Sequence, residues 1–213
     1  MHRPLTAVRA AVAALALVAL AAPAARAQQN LVTNGTFETL AGSGPAGWFN
    51  ANPGGANWGV RQAAHTGTFA LYLQGDSRGF SNPASYSAAA QTIATTAGQA
   101  YTISFWAFNG SQASTPNRLQ VLFGGSLVFD EMLTNSGSEA YQQFTVSGVA
   151  AGAATDLVFR GWHQGSGNNI DDVTMVAATT TPPLSTVPEP STWALMGVGL
   201  AGVVAGARRR ALA

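Results

Sequence analysis

The 213 residues contain no cysteine, which removes disulfides, thiolate nucleophiles and thiolate metal ligands together. Stability has to come from a packed core or a bound ion. Lysine is missing as well: the ten basic residues beyond histidine are all arginine, and only 9% of the chain is charged. Arg3, Arg9, Arg26, Arg208, Arg209 and Arg210 sit in the two end segments, so between Gln28 and Val187 only Arg61, Arg78, Arg118 and Arg160 face eight acids. That central body carries about four net negative charges, which argues against nucleic acid or an anionic membrane surface as its partner. Catalytic motifs are missing too: no nucleophile elbow, phosphate loop, dinucleotide fingerprint or zinc-binding helix pattern occurs. His65 and His163 are the only body histidines, and neither has a second ligand or triad partner at a recognisable spacing. A carboxylate pair for glycosidic cleavage could be drawn from the eight acids, but eight scattered acids are ordinary in any domain. The body reads as non-catalytic.

What is present begins at the ends. Arg3 and Arg9 precede an unbroken apolar run from Ala10 to Ala22 and a small-x-small site at Ala25-Arg26-Ala27, the pattern of a secretory signal peptide over residues 1–27. The mature chain is expected to start near Gln28. At the other end stand Pro188-Glu189-Pro190, an apolar stretch from Trp193 to Ala207 and the arginine stop Arg208 to Arg210. These three parts, in this order over residues 188–213, resemble the PEP-CTERM sorting signal of exosortase-processed bacterial proteins. The resemblance implies that an exosortase-type enzyme reads Pro188, Glu189 and Pro190. It also implies a precursor held in the inner membrane with its arginines in the cytoplasm, then passed to the cell surface or extracellular matrix. The apolar stretch is short of the ~20 residues a spanning helix prefers, a gap that residues from Pro190 onward or local thinning can close. A plain membrane anchor behind a proline-rich stalk is the competing reading.

Residues 28–176 are enough for one domain with its own core. Residues 177–187, with Thr179-Thr180-Thr181-Pro182-Pro183, lack apolar periodicity and read as an extended spacer. Within the body, apolar residues alternate with period two. Phe69, Leu71 and Leu73, then Tyr101, Ile103 and Phe105, then Leu119, Val121 and Phe123 mark strands, as do Phe144 and Val146, Leu157 and Phe159, and the run from Ile170 to Val176. Glycine-rich breaks at 42–47, 53–55, 124–125 and 165–167 supply turns. This predicts an all-β fold: two packed antiparallel sheets, a β-sandwich or jelly roll.

Four segments carry a further resemblance: Asn30-Leu31-Val32-Thr33-Asn34-Gly35-Thr36-Phe37-Glu38 followed by Gly47-Trp48, the run from Ala64 to Leu71, the strand Tyr101 to Trp106, and Asn169-Ile170-Asp171-Asp172-Val173. In this order they resemble the galactose-binding-like jelly rolls of carbohydrate-binding modules. The resemblance implies a non-catalytic binding domain, with one structural calcium ion between its first and last strands. Glu38 and Asp171 are then the side-chain ligands, Asp172 replaces Asp171 if the register slips by one, and Thr66 and Gly67 offer carbonyls. The alternative is that these acids are solvated ends of strands. Strand alternation places Trp106 on a non-core face, and likewise Arg160 and Trp162. The expectation is a shallow floor of two indoles beside a guanidinium, suited to extracellular polysaccharide. If loops cover that face, both rings are ordinary packing, and the protein is a structural component of surface or matrix with no glycan ligand.

Overall fold

The computed structural model describes residues 28–54, 57–79, 81–112, 114–136 and 140–179. The expected signal peptide, the Pro188-Glu189-Pro190 site and the apolar stretch behind it lie outside these residues. Among the described residues no helix is long and apolar enough to cross a membrane. Twelve strands follow one another: β1 (Leu40–Ala41), β2 (Gly44–Pro45), β3 (Phe49–Asn50), β4 (Trp58–Arg61), β5 (Ala70–Leu73), β6 (Ser87–Ala94), β7 (Ala100–Asn109), β8 (Asn117–Phe123), β9 (Ser126–Glu131), β10 (Gln142–Val149), β11 (Ala154–His163) and β12 (Asn168–Ala177). A 3₁₀ turn, Pro83–Ser85, is capped by the Asn82 side chain accepting from the Ala84 N–H. The last strand runs one residue past the expected boundary at 176.

β1 and β2 form a small hairpin, and the rest make two five-stranded antiparallel sheets. The first has the order β10-β7-β12-β5-β4 and the second β3-β6-β11-β8-β9. The predicted sandwich is what the described residues form. Alternation decides its faces: Ile103 and Phe105 of β7, Leu157 and Phe159 of β11 and Leu119 and Val121 of β8 are all fully buried between the sheets. Phe105 sits at the centre, edge-on to Phe159 at 5.1 Å and to Phe129 at 5.3 Å, and stacked with Phe144 at 5.5 Å. Truncating such a ring to alanine costs about 3–5 kcal/mol.

Two local departures from regular strand geometry aim the acidic side chains. In the first motif Phe37 has φ +56° and is fully buried against Trp48, at 5.3 Å between rings. This strained backbone turns the chain so that Gly35 C=O accepts from Val173 N–H of β12 at 2.9 Å, while Glu38 points outward. In β12 the register against β7 shifts between Asp171 and Thr174, and Asp172 takes φ +49°. The bulge turns both acids of the Asp-Asp pair toward the 65–69 loop.

The strand directions also sort the ends. β7 and β11 run toward the 163–168 hairpin, whereas β12 runs away from it, and the chain leaves the sandwich where Ala178 N–H donates to Ala100 C=O at 2.8 Å.

Candidate functional site

Glu38, Asp171 and Asp172 converge on one loop. Glu38 Oε1 accepts from the N–H groups of Thr68 and Phe69, both at 2.8 Å. Asp171 has no solvent exposure; its Oδ2 accepts from His65 N–H at 2.8 Å and Thr66 N–H at 3.0 Å, and its Oδ1 from Asp172 N–H at 2.8 Å. Asp172 bonds His65 Nδ1 and Thr66 Oγ1, each at 2.6 Å. Burial pushes the Asp171 carboxyl up to about 6, with the Asp172 charge adding to the rise and the three N–H donors opposing it. Gly67, at φ +75°, lets the loop close on Glu38: a Cβ there would meet Glu38 Oε1 at 2.6 Å. The three acids expected to share an ion meet on one loop and form a clasp of protein hydrogen bonds. A calcium ion demands six to eight oxygens. Glu38 Oε1 and the Asp171 and Asp172 oxygens instead meet N–H and O–H donors of the 65–69 loop and of Asp172, and no group of three or more His, Cys, Asp or Glu among the described residues is placed to hold a metal.

The tryptophan floor takes a different form from the one expected. Trp106 lies on β7 of the first sheet and Trp162 on β11 of the second, so the two rings stand on opposite sheets and share no floor. Trp106 does face outward, but His65 stacks on it at 4.0 Å and 14°, and Tyr141 meets His65 edge-on at 5.3 Å. Tyr141 is itself fixed: its hydroxyl donates to Ala63 C=O at 2.7 Å and its ring meets Phe108 at 4.6 Å. Burial, then the charges of Asp171 and Asp172, push the Tyr141 hydroxyl far above its usual value.

Trp162 is 8% exposed, because the 74–77 loop lies over it: its Nε1 donates to Asp76 C=O at 2.8 Å, and a Cβ at Gly75 would approach its Cδ1 to 2.6 Å. Alternation gave the side of the sheet correctly. It carried no information about a loop some ninety residues earlier in the chain. Where that loop meets the 163–165 hairpin there is a cavity of about 720 Å³, lined by Asn57, Gln74, Ser77, Pro116, Trp162 and Gln164 among others. Asn57 Nδ2 donates to Gln74 Oε1 at 3.2 Å, and Gln74 C=O accepts from His163 N–H at 2.6 Å. The one acid in the wall, Asp76, is paired with Arg78, whose guanidinium holds the carboxyl below its usual range. His163 is buried, its Nε2 bonded to Asn109 Oδ1, and burial lowers its pKa. The amides of this cavity were missed in the sequence because isolated Asn and Gln in turns carry no pattern. The glycines Gly75 and Gly165, both at positive φ, were the only trace.

Arg160 lines a separate groove of about 650 Å³ on the outer face of the second sheet, with Phe49, Ala88, Leu122, Asp156 and Val158. Its Nε donates to Gln120 Oε1 at 2.7 Å, and its guanidinium carbon lies 5.7 Å from the Tyr86 ring centre. Phe49, which the sequence did not single out, is 46% exposed there.

The comparison with curated proteins gives no match. Among solved structures, the chain is similar to a xylan-binding domain, CBM22-1, from Paenibacillus barcinonensis Xyn10C, at 13% identity and TM-score 0.49, covering 72% of this chain and 97% of that one. A putative sugar binding protein from Bacteroides thetaiotaomicron is similar at 14% identity and TM-score 0.49, over 70% and 100%. TmCBM61, solved with beta-1,4-galactotriose, is similar at 17% identity and TM-score 0.47, over 71% and 100%. At these values none of them transfers a ligand or a residue role to this chain. Residues 186–210, which contain Pro188, Glu189 and Pro190, match the family model of the PEP-CTERM protein-sorting motif, and the chain carries that motif at its C-terminal end.

Proposed function

We propose that this is an exported, exosortase-processed protein of the cell surface or extracellular matrix whose sandwich binds uncharged extracellular polysaccharide, without catalysis, in the cavity beside Trp162. One observation carries the reading: the cavity wall presents the amides of Asn57, Gln74 and Gln164 and the Ser77 hydroxyl, beside the apolar surfaces of Trp162 and Pro116. Amides that both donate and accept match vicinal hydroxyls, and flat apolar surface matches the C–H face of a sugar ring. The acid in the wall is balanced by Arg78, which favours a neutral ligand. Strand directions add support, since the cavity lies at the end of the sandwich opposite the exit at Ala178. A chain tethered by its tail would present the cavity away from the membrane. Binding would be weak per site, micromolar to millimolar, and useful through avidity on a repeating polymer.

The test is affinity electrophoresis or pull-down with the organism's own exopolysaccharide. Trp162→Ala is a poor probe, since its buried ring contributes to the fold. Gln164→Ala and Ser77→Ala change exposed side chains, and each is expected to weaken binding about threefold to tenfold with an unchanged melting curve. Binding that persists undiminished in the double variant removes the cavity from the account. No binding by the parent protein hands the function to the structural reading.

A further inference from the structure

The sandwich has four sheet edges, and three are blunted in recognised ways. β3 is two residues long, and β4 is four residues long and ends on the exposed Arg61. β9 has a register shift at Val121/Leu122 and carries Asp130 and Glu131. Short strands, bulges and charges are the devices that stop an edge from pairing with another chain. β10 has none of them. It is eight residues long, Gln-Gln-Phe-Thr-Val-Ser-Gly-Val, with no charge and no proline, and it pairs with β7 without interruption from Gln142↔Ala107 to Val149↔Ala100. Among the described residues no further strand pairs with its outer side.

We infer that β10 is a self-association edge, and that two copies of this chain join through it into a continuous ten-stranded sheet. The strand is complementary to itself. A twofold axis through Thr145, perpendicular to the sheet, keeps inner faces with inner and outer with outer. It sets Phe144 opposite Val146 on the inner face, Gln143 opposite Ser147 and Thr145 opposite Thr145 on the outer. Phe144 and Val146 are half-buried rim residues of the core, and an aromatic facing a β-branched residue is a favourable cross-strand pair. Because the strand is uncharged, the copies meet without like charges in contact although each body is acidic. A charged foreign peptide gains no such match. The joint is isologous and small, so the dimer is weak. Its strands being antiparallel, the two copies leave the joined sheet at opposite ends. If the cavity beside Trp162 binds polysaccharide as proposed, the pair would present two such sites facing opposite ways and bridge two polymer chains. The pairing itself does not depend on that reading.

The absence of native cysteine makes the test direct in the full-length protein held in mild detergent. Thr145→Cys places one thiol opposite its symmetry mate and is expected to give a disulfide-linked dimer at least about tenfold faster than Thr174→Cys, which is also exposed but lies on the central strand β12. Thr145→Lys and Thr145→Glu, each alone, are expected to be monomeric at concentrations where the parent dimerises, because like charges then lie directly opposite. Mixing the two should restore a heterodimer. Equal cross-linking at 145 and 174, or Lys and Glu variants that dimerise like the parent, overturns the inference, as does a parent protein that stays monomeric to about 1 mM. Polysaccharide binding is measured separately, so failure of one idea leaves the other standing.

Discussion

Asp171 has no solvent exposure, yet its oxygens accept three N–H bonds. The two facts pull its ionisation in opposite directions, and burial wins: the carboxyl sits at about 6 against a usual 3.8. The folded state then holds the proton through a window in which the unfolded chain releases it. Stability from this group is therefore full below pH 3.8 and falls as pH rises to about 6, by on the order of 3 kcal/mol. Melting curves of the parent and Asp171→Asn across this window should show the parent losing ground to the variant from about pH 4 to pH 6 and running parallel above it. A difference that stays flat throughout would mean Asp171 is ionised in the fold at all these values. Trp106 and Trp162 make a related point at the same scale. Alternation told which side of a strand each ring leaves from, while His65 and Gly75, distant in sequence, decided how much of each ring meets solvent.

Among the elements, β6 is the one composition concealed. Its sequence, Ser-Ala-Ala-Ala-Gln-Thr-Ile-Ala, lacks the run of aromatic and β-branched residues that marks a strand, and alanine favours helix when isolated. It is a strand because β11 pairs with it over eight residues from Ala154↔Ala94 to Gly161↔Ser87, and because fully buried Ala89 leaves room for larger neighbours. Strands β7, β8, β11 and β12 were legible because they alternate Ile, Phe, Leu and Val with polar residues. The 65–69 clasp belongs to this scale as well. Glu38 secures two backbone N–H groups of the loop, so Glu38→Ala should lower the melting temperature by several degrees, equivalent to about 1–2 kcal/mol. Protein donors close the clasp, so a chelator should leave the melting curves of parent and variant unmoved. A chelator-induced drop in the parent that vanishes in Glu38→Ala would show an ion replacing those donors.

For the whole molecule, the two ends of the sandwich are built differently. The chain departs at one, beside Ala100, and the amide-lined cavity opens at the other. The matched sorting motif at 186–210 leads to a prediction about fate. Intact-mass measurement of the exported protein should give a chain that begins near Gln28 and no longer contains Arg208 to Arg210. A mass that retains Arg210 would leave the tail as a plain anchor.

By itself the sequence determined the sandwich class, the strands with strict alternation and the sorting tail. Each is a local pattern: a period of two, or an ordered run of proline, apolar and basic residues. Tertiary structure alone decided that Trp106 and Trp162 lie on opposite sheets, that the acids hold a loop through N–H donors, and that Asn57, Gln74 and Gln164 meet around one cavity. Those outcomes depend on which strands become neighbours and which loops fold over them. Such contacts join residues as much as about a hundred positions apart, and no periodicity within the chain records them.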